Sequence, residues 1–215
     1  TNDALTSNSN YFNDTLPTSS VFSVGTDDTV NLLNNGYIAY LFAGGPSSAA
    51  TATSNYLGNS GSSQSVSAAG ITDFTIGTGD FTLEAWINPE SWGNDSGFAA
   101  IHPNNTNGLI ISRDGTNNVL RVKPYGGNNV VYSETLPPIG QWTHVAIARA
   151  SNVTKIFING KEEGSGSDNN SYAGGSFYWG YAPNLSFIGH YSNVRVVKGT
   201  AVYTSSFRPP TETLT

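Results

Sequence analysis

Residues 141–166, "QWTHVAIARASNVTKIFINGKEEGSG", carry the pattern that decides the fold. "WTHVAIAR" (142–149) and "TKIFING" (154–160) read as two alternating strands, each with one face on a core. "ASNV" joins them as a turn. "NGK" (159–161) supplies an Asn-Gly turn, where a positive φ is needed and costs these residues little. Hairpins spaced this closely predict antiparallel pairing.

Upstream, "FTLEAWINP" (81–89) repeats the alternation, with Phe81, Leu83, Ala85 and Ile87 on one face and Thr82, Glu84, Trp86 and Asn88 on the other. Pro89 has no N–H to donate and is expected to end the ladder. "GLIISRDG" (108–115) and "NVLRVKPYG" (118–126) flank "DGTNN", a hairpin with an Asp-Gly signal, and "NVVYSET" (129–135) follows. "SFYWGY" (176–181), "LSFIGHY" (185–191) and "NVRVVKG" (193–199) are further strands. "SNVRVVKGTAVYTSSFRPPT" (192–211) reads as a strand, a tight turn, a second short strand and a proline-locked exit. Its valines are expected inside, Arg195 and Lys198 outside, with Phe207 tucked back onto the domain. Nearer the start, strand candidates lie at 20–25, 29–33 and 36–44, before the small-residue linker "GPSSAATATSN" (45–55). No segment has a helical period. The fold class is all-β, an antiparallel β-sandwich of two sheets packed face to face.

Composition agrees. Gly (24) and Pro (10) punctuate 215 residues of which 11% are charged, a mixture that makes turns and disfavours long helices. With 37% hydrophobic residues the chain can still bury a core. It has no Cys, so neither disulfides nor thiolate metal sites are available. A net charge of −6 with only nine scattered basic residues argues against nucleic acid as a partner. The longest apolar stretch, "GYIAYLFAGG" (36–45), is too short for membrane insertion. No signal peptide is visible, and a start at Thr1 without Met suits a processed or excised piece.

Three ordered stretches, "GTGDFTLEAWINP", "QWTHVAIAR…TKIFINGK" and "YSNVRVVKGTAVYTSSFRPP", resemble concanavalin A-like lectin/glucanase jelly-roll domains of the laminin G type. "SNVRVVKGTAVYT" is similar to the version found in tail and appendage proteins of marine bacteriophages. The resemblance covers residues 56–215, with 1–55 resembling the segment that precedes such a domain. It implies a concanavalin A-like β-sandwich at 56–215, with 1–55 an N-terminal extension of short strands or the end of a preceding module, located at a virion surface or extracellularly. It further implies self-association or contact with other virion or filament subunits.

Glycan-cutting relatives of this fold need paired carboxylates on one strand. No such pair is legible here: Glu84 stands alone, and Glu162 and Glu163 are adjacent, so all three read as solvated acids. There is no Gly-x-Ser-x-Gly elbow, and His102, His144 and His190 lack metal spacing; the resemblance, in which a histidine tends to follow the tryptophan, implies a structural hydrogen bond for His144. The reading is non-enzymatic. The resemblance makes a rim calcium ion possible; loop aspartates 27, 28, 80, 95, 114 and 168 offer oxygens, but no ligand set can be assigned. Trp86 and Trp142 are expected in the core. "SWGNDSG" (91–97) and "GGSFYWGYAPN" (174–184) combine aromatics with Asn, Asp and Gly, the composition of a sugar platform on which rings stack and amides bond hydroxyls. The candidate carbohydrate-binding residues are Trp92, Asn94, Asp95, Tyr178, Trp179, Tyr181 and Asn184. Two functions follow: a module that binds a host-surface glycan, or a structural assembly subunit (capsid decoration or filament) without ligand.

Overall fold

The computed structural model describes residues 55–57, 66–68, 74–102, 107–182, 185–212 and 214. These fall within one compact unit, Pro46–Thr215. The strands expected at 20–25, 29–33 and 36–44, residues 45–54 of the linker, Asp27, Asp28 and Asn184 lie outside the described residues, while Asn55 of the linker is described.

Two six-stranded antiparallel sheets face each other. The first runs in the order β1 (Asn55–Leu57), β14 (Ile188–Lys198), β3 (Phe81–Ser91), β8 (Thr143–Ala150), β9 (Val153–Ile158) and β10 (Lys161–Ser167). The second runs β2 (Val66–Ala68), β11 (Ser176–Trp179), β4 (Gly97–His102), β5 (Leu109–Asp114), β6 (Val119–Pro124) and β7 (Val131–Tyr132). A short pair, β12 (Tyr181–Ala182) with β13 (Leu185–Ser186), sits in the crossover to β14. No α-helix occurs among the described residues.

The alternation of β3 selects its face: Phe81, Leu83, Ala85 and Ile87 are fully buried between the sheets. They meet Val145 and Ile147 of β8, Ile156 of β9, and Ile101, Leu109, Ile111, Leu120 and Val122 from the second sheet. Burying each such side chain contributes about 1.5–3 kcal/mol. Turn chemistry sets the register. Ser151 and Asn152 (φ +47° and +66°) join β8 to β9, and Asn159 and Gly160 (φ +48° and +76°) join β9 to β10, both with the two positive φ values of a type I′ turn. The β5–β6 hairpin differs from its Asp-Gly reading. Asp114 pairs with Val119, its Oδ1 accepts from the Thr116 and Asn117 amides, and the left-handed residue is Asn118 (φ +58°). Pro89 does not end β3; the strand continues to Ser91.

The final segment departs from a strand pair. β14 ends at Lys198, and no strand follows it within 199–212. Instead the tail crosses the outer face of the first sheet, where Ala201, Tyr203 and Phe207 pack on Ala146, Ala148 and Phe157. Thr82 and Glu84, on the face expected to be open, are therefore fully buried. A bulge in β14 completes the arrangement: Ser192 pairs with Trp86 and Arg195 with Glu84, three residues against two, with Asn193 at φ +50°. The extra residue shifts side-chain parity. Val194 and Val196 pack against the core, Arg195 comes to lie beside Glu84, and Val197 pairs with Thr82. Trp86 and Trp142, expected in the core, are half-buried. Trp86 belongs to the outer-facing set of β3, beside His144, at a ring distance of 5.4 Å.

Candidate functional site

The residues singled out for sugar stacking do not form one surface. β11 buries alternate positions, so Phe177 and Trp179 point inward and Tyr178 outward. Trp179 has no exposed surface and stacks edge-on against Phe98 at 4.5 Å, leaving its ring no free face for a sugar. Trp92 is half-buried against Phe187 at 5.7 Å, and its Nε1–H donates to the Pro137 carbonyl at 2.9 Å. With Phe98 and Phe187 at 6.5 Å, these rings form an aromatic file running into the core. Asn94 is exposed and accepts from Arg113; Asp95 accepts from the Gly115 amide at 3.2 Å and from Arg121 at 3.0 Å. Both tie the β3–β4 loop to the β5–β6 hairpin. Tyr178 packs on Ala100 and Ile110 on the outer face of the second sheet. The side chain of Tyr181, like Asn184, lies outside the described residues.

A different constellation assembles at the opposite end of the sandwich. Asn107 and Gly108, just ahead of β5, meet the β6–β7 and β10–β11 loops there, joined by Tyr125 N–H to Gly108 C=O (2.7 Å) and Ala173 N–H to Asn107 C=O (3.0 Å). Between them opens a cleft of about 300 Å³ lined by Asn107, Pro124, Tyr125, Gly126, Gly127, Asn170 and Ser171. Its floor is held from below. The fully buried Arg149, near the end of β8, donates to the carbonyls of Gly77 (2.8 Å), Gly79 (2.6 and 2.9 Å) and Asn170 (2.9 Å). Its guanidinium lies 5.2 Å from the Phe81 ring centre and 5.0 Å from that of Tyr172. A planar fork that donates and stacks at once is a role only Arg fills. Asp168 accepts from Thr154 Oγ1 (2.6 Å), Tyr172 Oη (3.0 Å) and Asn170 Nδ2 (2.8 Å). Burial pushes the Tyr172 phenol far up, and the Asp168 charge adds to it, so Tyr172 stays a neutral donor. The cleft thus gathers one aromatic residue, two asparagines, a serine, a proline and two glycines. Among the described residues that line it there is no carboxylate.

The acids are occupied elsewhere. Glu84, read as solvated, has no exposed surface: Oε2 accepts from His144 Nε2 (3.0 Å) and Tyr203 Oη (2.9 Å), and Oε1 from Arg195 Nε (2.8 Å) and Nη2 (2.6 Å). Burial alone would push this carboxyl up; hydrogen bonds from His144, Arg195 and Tyr203 outweigh it and hold the carboxyl below its usual range. Glu163 is also buried and pairs with Lys161 and Thr135, while Glu162 pairs with Lys155. Asp80 accepts from the Ser151 amide, and Asp114 and Asp95 share Arg121. Among the described residues no three His, Asp or Glu side chains converge as a metal site.

Asn107, Asn170 and Ser171 escaped the sequence reading, as did the Arg149–Asp168–Tyr172 knot beneath them. Arg149 reaches Gly77 and Gly79 across 72 and 70 residues, and no local pattern announces such a contact.

Among curated proteins none matches the chain. Among solved structures it is similar to a heptameric SAP-like pentraxin from Limulus polyphemus, with 15% identity over 66% of this chain and 74% of that one, TM-score 0.48. A putative carbohydrate binding protein from Bacteroides ovatus shows 20% identity over 65% of this chain, TM-score 0.51, and the match spans only 42% of that protein. Domain 4 of AbnA, a GH43 extracellular arabinanase from Geobacillus stearothermophilus solved with arabinotriose, shows 21% identity over 59% of this chain and 64% of that one, TM-score 0.42. Residues 60–201 match the family profile of the concanavalin A-like lectin/glucanases superfamily, laminin G type. With most of the chain inside that match, in two facing antiparallel sheets, the protein belongs to the concanavalin A-like lectin/glucanases superfamily.

Proposed function

We propose that this protein is a non-enzymatic carbohydrate-binding module whose ligand sits in the rim cleft. The observation that carries this reading is the lining: Tyr125 beside Asn107, Asn170 and Ser171, on a loop braced by a buried Arg–Asp–Tyr knot. A pyranose presents C–H groups to a flat ring and hydroxyls to amides, and a pre-formed site loses little entropy on binding it. The solved neighbour titled a putative carbohydrate binding protein fits this proposal. The non-enzymatic part rests on the sequence, where no strand carries the paired carboxylates that glycosidic cleavage uses. The similarity of "SNVRVVKGTAVYT" to phage tail proteins supports a place on a virion or other extracellular surface, with residues 56–215 as the binding domain and 1–55 as its N-terminal extension.

A panel of algal and bacterial glucans, galactans and capsular polysaccharides, read by calorimetry, tests the reading. At least one should bind, without release of reducing sugar, and Tyr125→Ala should weaken that binding about tenfold or more in a protein that still unfolds cooperatively. Binding indifferent to Tyr125 would move the site elsewhere.

One observation favours the second reading, an assembly subunit without ligand. The aromatic file Trp92–Phe187–Phe98–Trp179 is spent on the core and leaves fewer rings for a ligand. A discrete oligomer in solution together with silence across the panel would select it.

A further inference from the structure

All nine cationic side chains lie among the described residues, and most are spent on partners. Arg121 holds Asp95 and Asp114, Arg149 holds Asp168 and backbone carbonyls, and Arg195 holds Glu84. Lys155 and Lys161 pair with glutamates, and Arg113 bonds Asn118 and the Gly93 carbonyl. Lys198 and Arg208 project into solvent. Lys123 differs from all of them, being half-buried with neither a hydrogen bond nor an ion pair among the described residues.

Its position is set by the sheet. On β6 Leu120 and Val122 point into the core, so Arg121 and Lys123 stand on the outer face. The register aligns Lys123 with Ile110, Ile110 with Ala100, and Ala100 with Tyr178, one row across four strands. That row is about 14 Å wide, three strand spacings. Tyr125, two residues along from Lys123, packs with Tyr178 against Ala100 and Ile110. Tyr125 also lines the rim cleft, so the cleft and this face share one residue. The carboxylates that could have neutralised Lys123, Asp95 and Asp114, are already bound to Arg121. Burial, then the neighbouring Arg121 charge, press the Lys123 ammonium below its usual range, while Asp95 and Asp114 partly offset this. A half-desolvated ammonium without a paired carboxylate among the described residues is costly unless an anion is supplied.

We infer that the ligand of the rim cleft is an anionic saccharide, with its pyranose ring on Tyr125 and its acid group, a carboxylate or a sulfate ester, on Lys123. This rests on the carbohydrate-binding reading and narrows it to a ligand class. A net charge of −6 repels polyanions at long range, so attraction here comes from one placed cation and its hydrogen bonds rather than from a basic field.

Calorimetry with two matched pairs tests it: an oligogalacturonate against its methyl ester, and a sulfated galactan oligosaccharide against its desulfated form. The charged member of at least one pair should bind about tenfold tighter than its neutral partner, and the pair that shows this identifies the acid group. Lys123→Met should bring the two members within about twofold, while Arg208→Met, which removes the same charge from the tail, should keep the preference. A Lys123→Met protein that retains the preference overturns the inference. So does Tyr125-dependent binding that treats charged and neutral members alike, although the carbohydrate-binding reading then stands. No Tyr125-dependent binding of any of the four ligands overturns both.

Discussion

The Tyr203 hydroxyl donates to Glu84 Oε2 at 2.9 Å across 119 residues of chain, fastening the tail to the middle of the first sheet. The Tyr203 ring stacks on Phe207 at 3.6 Å, nearly parallel, and Phe207 lies 5.4 Å from Phe157 and 5.7 Å from His144. Glu84 is buried because the tail is there, and the tail is ordered because Glu84 offers it an acceptor. Ending the chain after Gly199 removes both rings, uncovers Ala146, Ala148 and Phe157, and strips Glu84 of one donor. Such a chain should lose cooperative thermal unfolding by circular dichroism, whereas one ending after Pro210 should melt as the full chain does. A folded Gly199 product would show that the sheets need no cover. Tyr203→Phe alone should cost about 1.5–3 kcal/mol in urea unfolding, as for a lost hydrogen bond to a charged group.

Acid should loosen the same knot. The folded Glu84 carboxyl titrates below its free value of 4.5, so its contribution is present above that value and is lost as pH falls through the lower, folded one. Asp114 acts with the same sign from a free value of 3.8, held down first by the Asn117 amide and also by Arg121. Urea midpoints measured from about pH 7 to about pH 3 should therefore drop steeply at the acid end. Glu84→Gln should be less stable at neutral pH and lose less on acidification; equal acid slopes would remove Glu84 from the account.

The two tryptophans expected to behave alike should now differ from a third. Trp179→Ala empties a fully enclosed site against Phe98 and should cost about 3–5 kcal/mol in chemical denaturation. Trp142, half-buried and 6.4 Å from His190, should cost less than about 2 kcal/mol when replaced by Ala. Reversed values would mean that the outer face of the first sheet is better covered than its described residues show.

Gly160 and Gly140 form a matched pair, with φ of +76° and +75°. A Cβ at Gly140 meets open space, but one at Gly160 runs into the Phe207 carbonyl carbon and oxygen. Gly140→Ala should cost only the left-handed backbone penalty, about 1–2 kcal/mol. Gly160→Ala should cost clearly more, because the Phe207 amide donates to the Gly160 carbonyl at 2.8 Å and the tail must move away. Equal midpoint shifts for the two variants would argue that the tail is not held at this turn.

Local patterns carried much of the architecture. The alternation in 81–87, the Asn-Gly turn at 159–160 and the pairing of 143–150 with 153–158 were legible because strand period and turn φ depend on near neighbours. The same period misled at Glu84 and Trp179. An acid at an outward position reads as solvated unless a distant tail covers it. A Trp beside Gly and Tyr reads as a platform unless strand parity turns it inward.

The sequence by itself determined an all-β sandwich, its hairpins, and the absence of a hydrolase-like carboxylate motif along any one strand. Only the tertiary structure decided which face of the first sheet is closed, which loops share the rim cleft, and that Arg121 takes both nearby aspartates, leaving Lys123 without an ion pair among the described residues. These features are contacts between segments tens of residues apart, such as Arg149 with Gly79 or Arg195 with Glu84. Their energies depend on burial and on competition for partners, and neither exists until the sheets have packed.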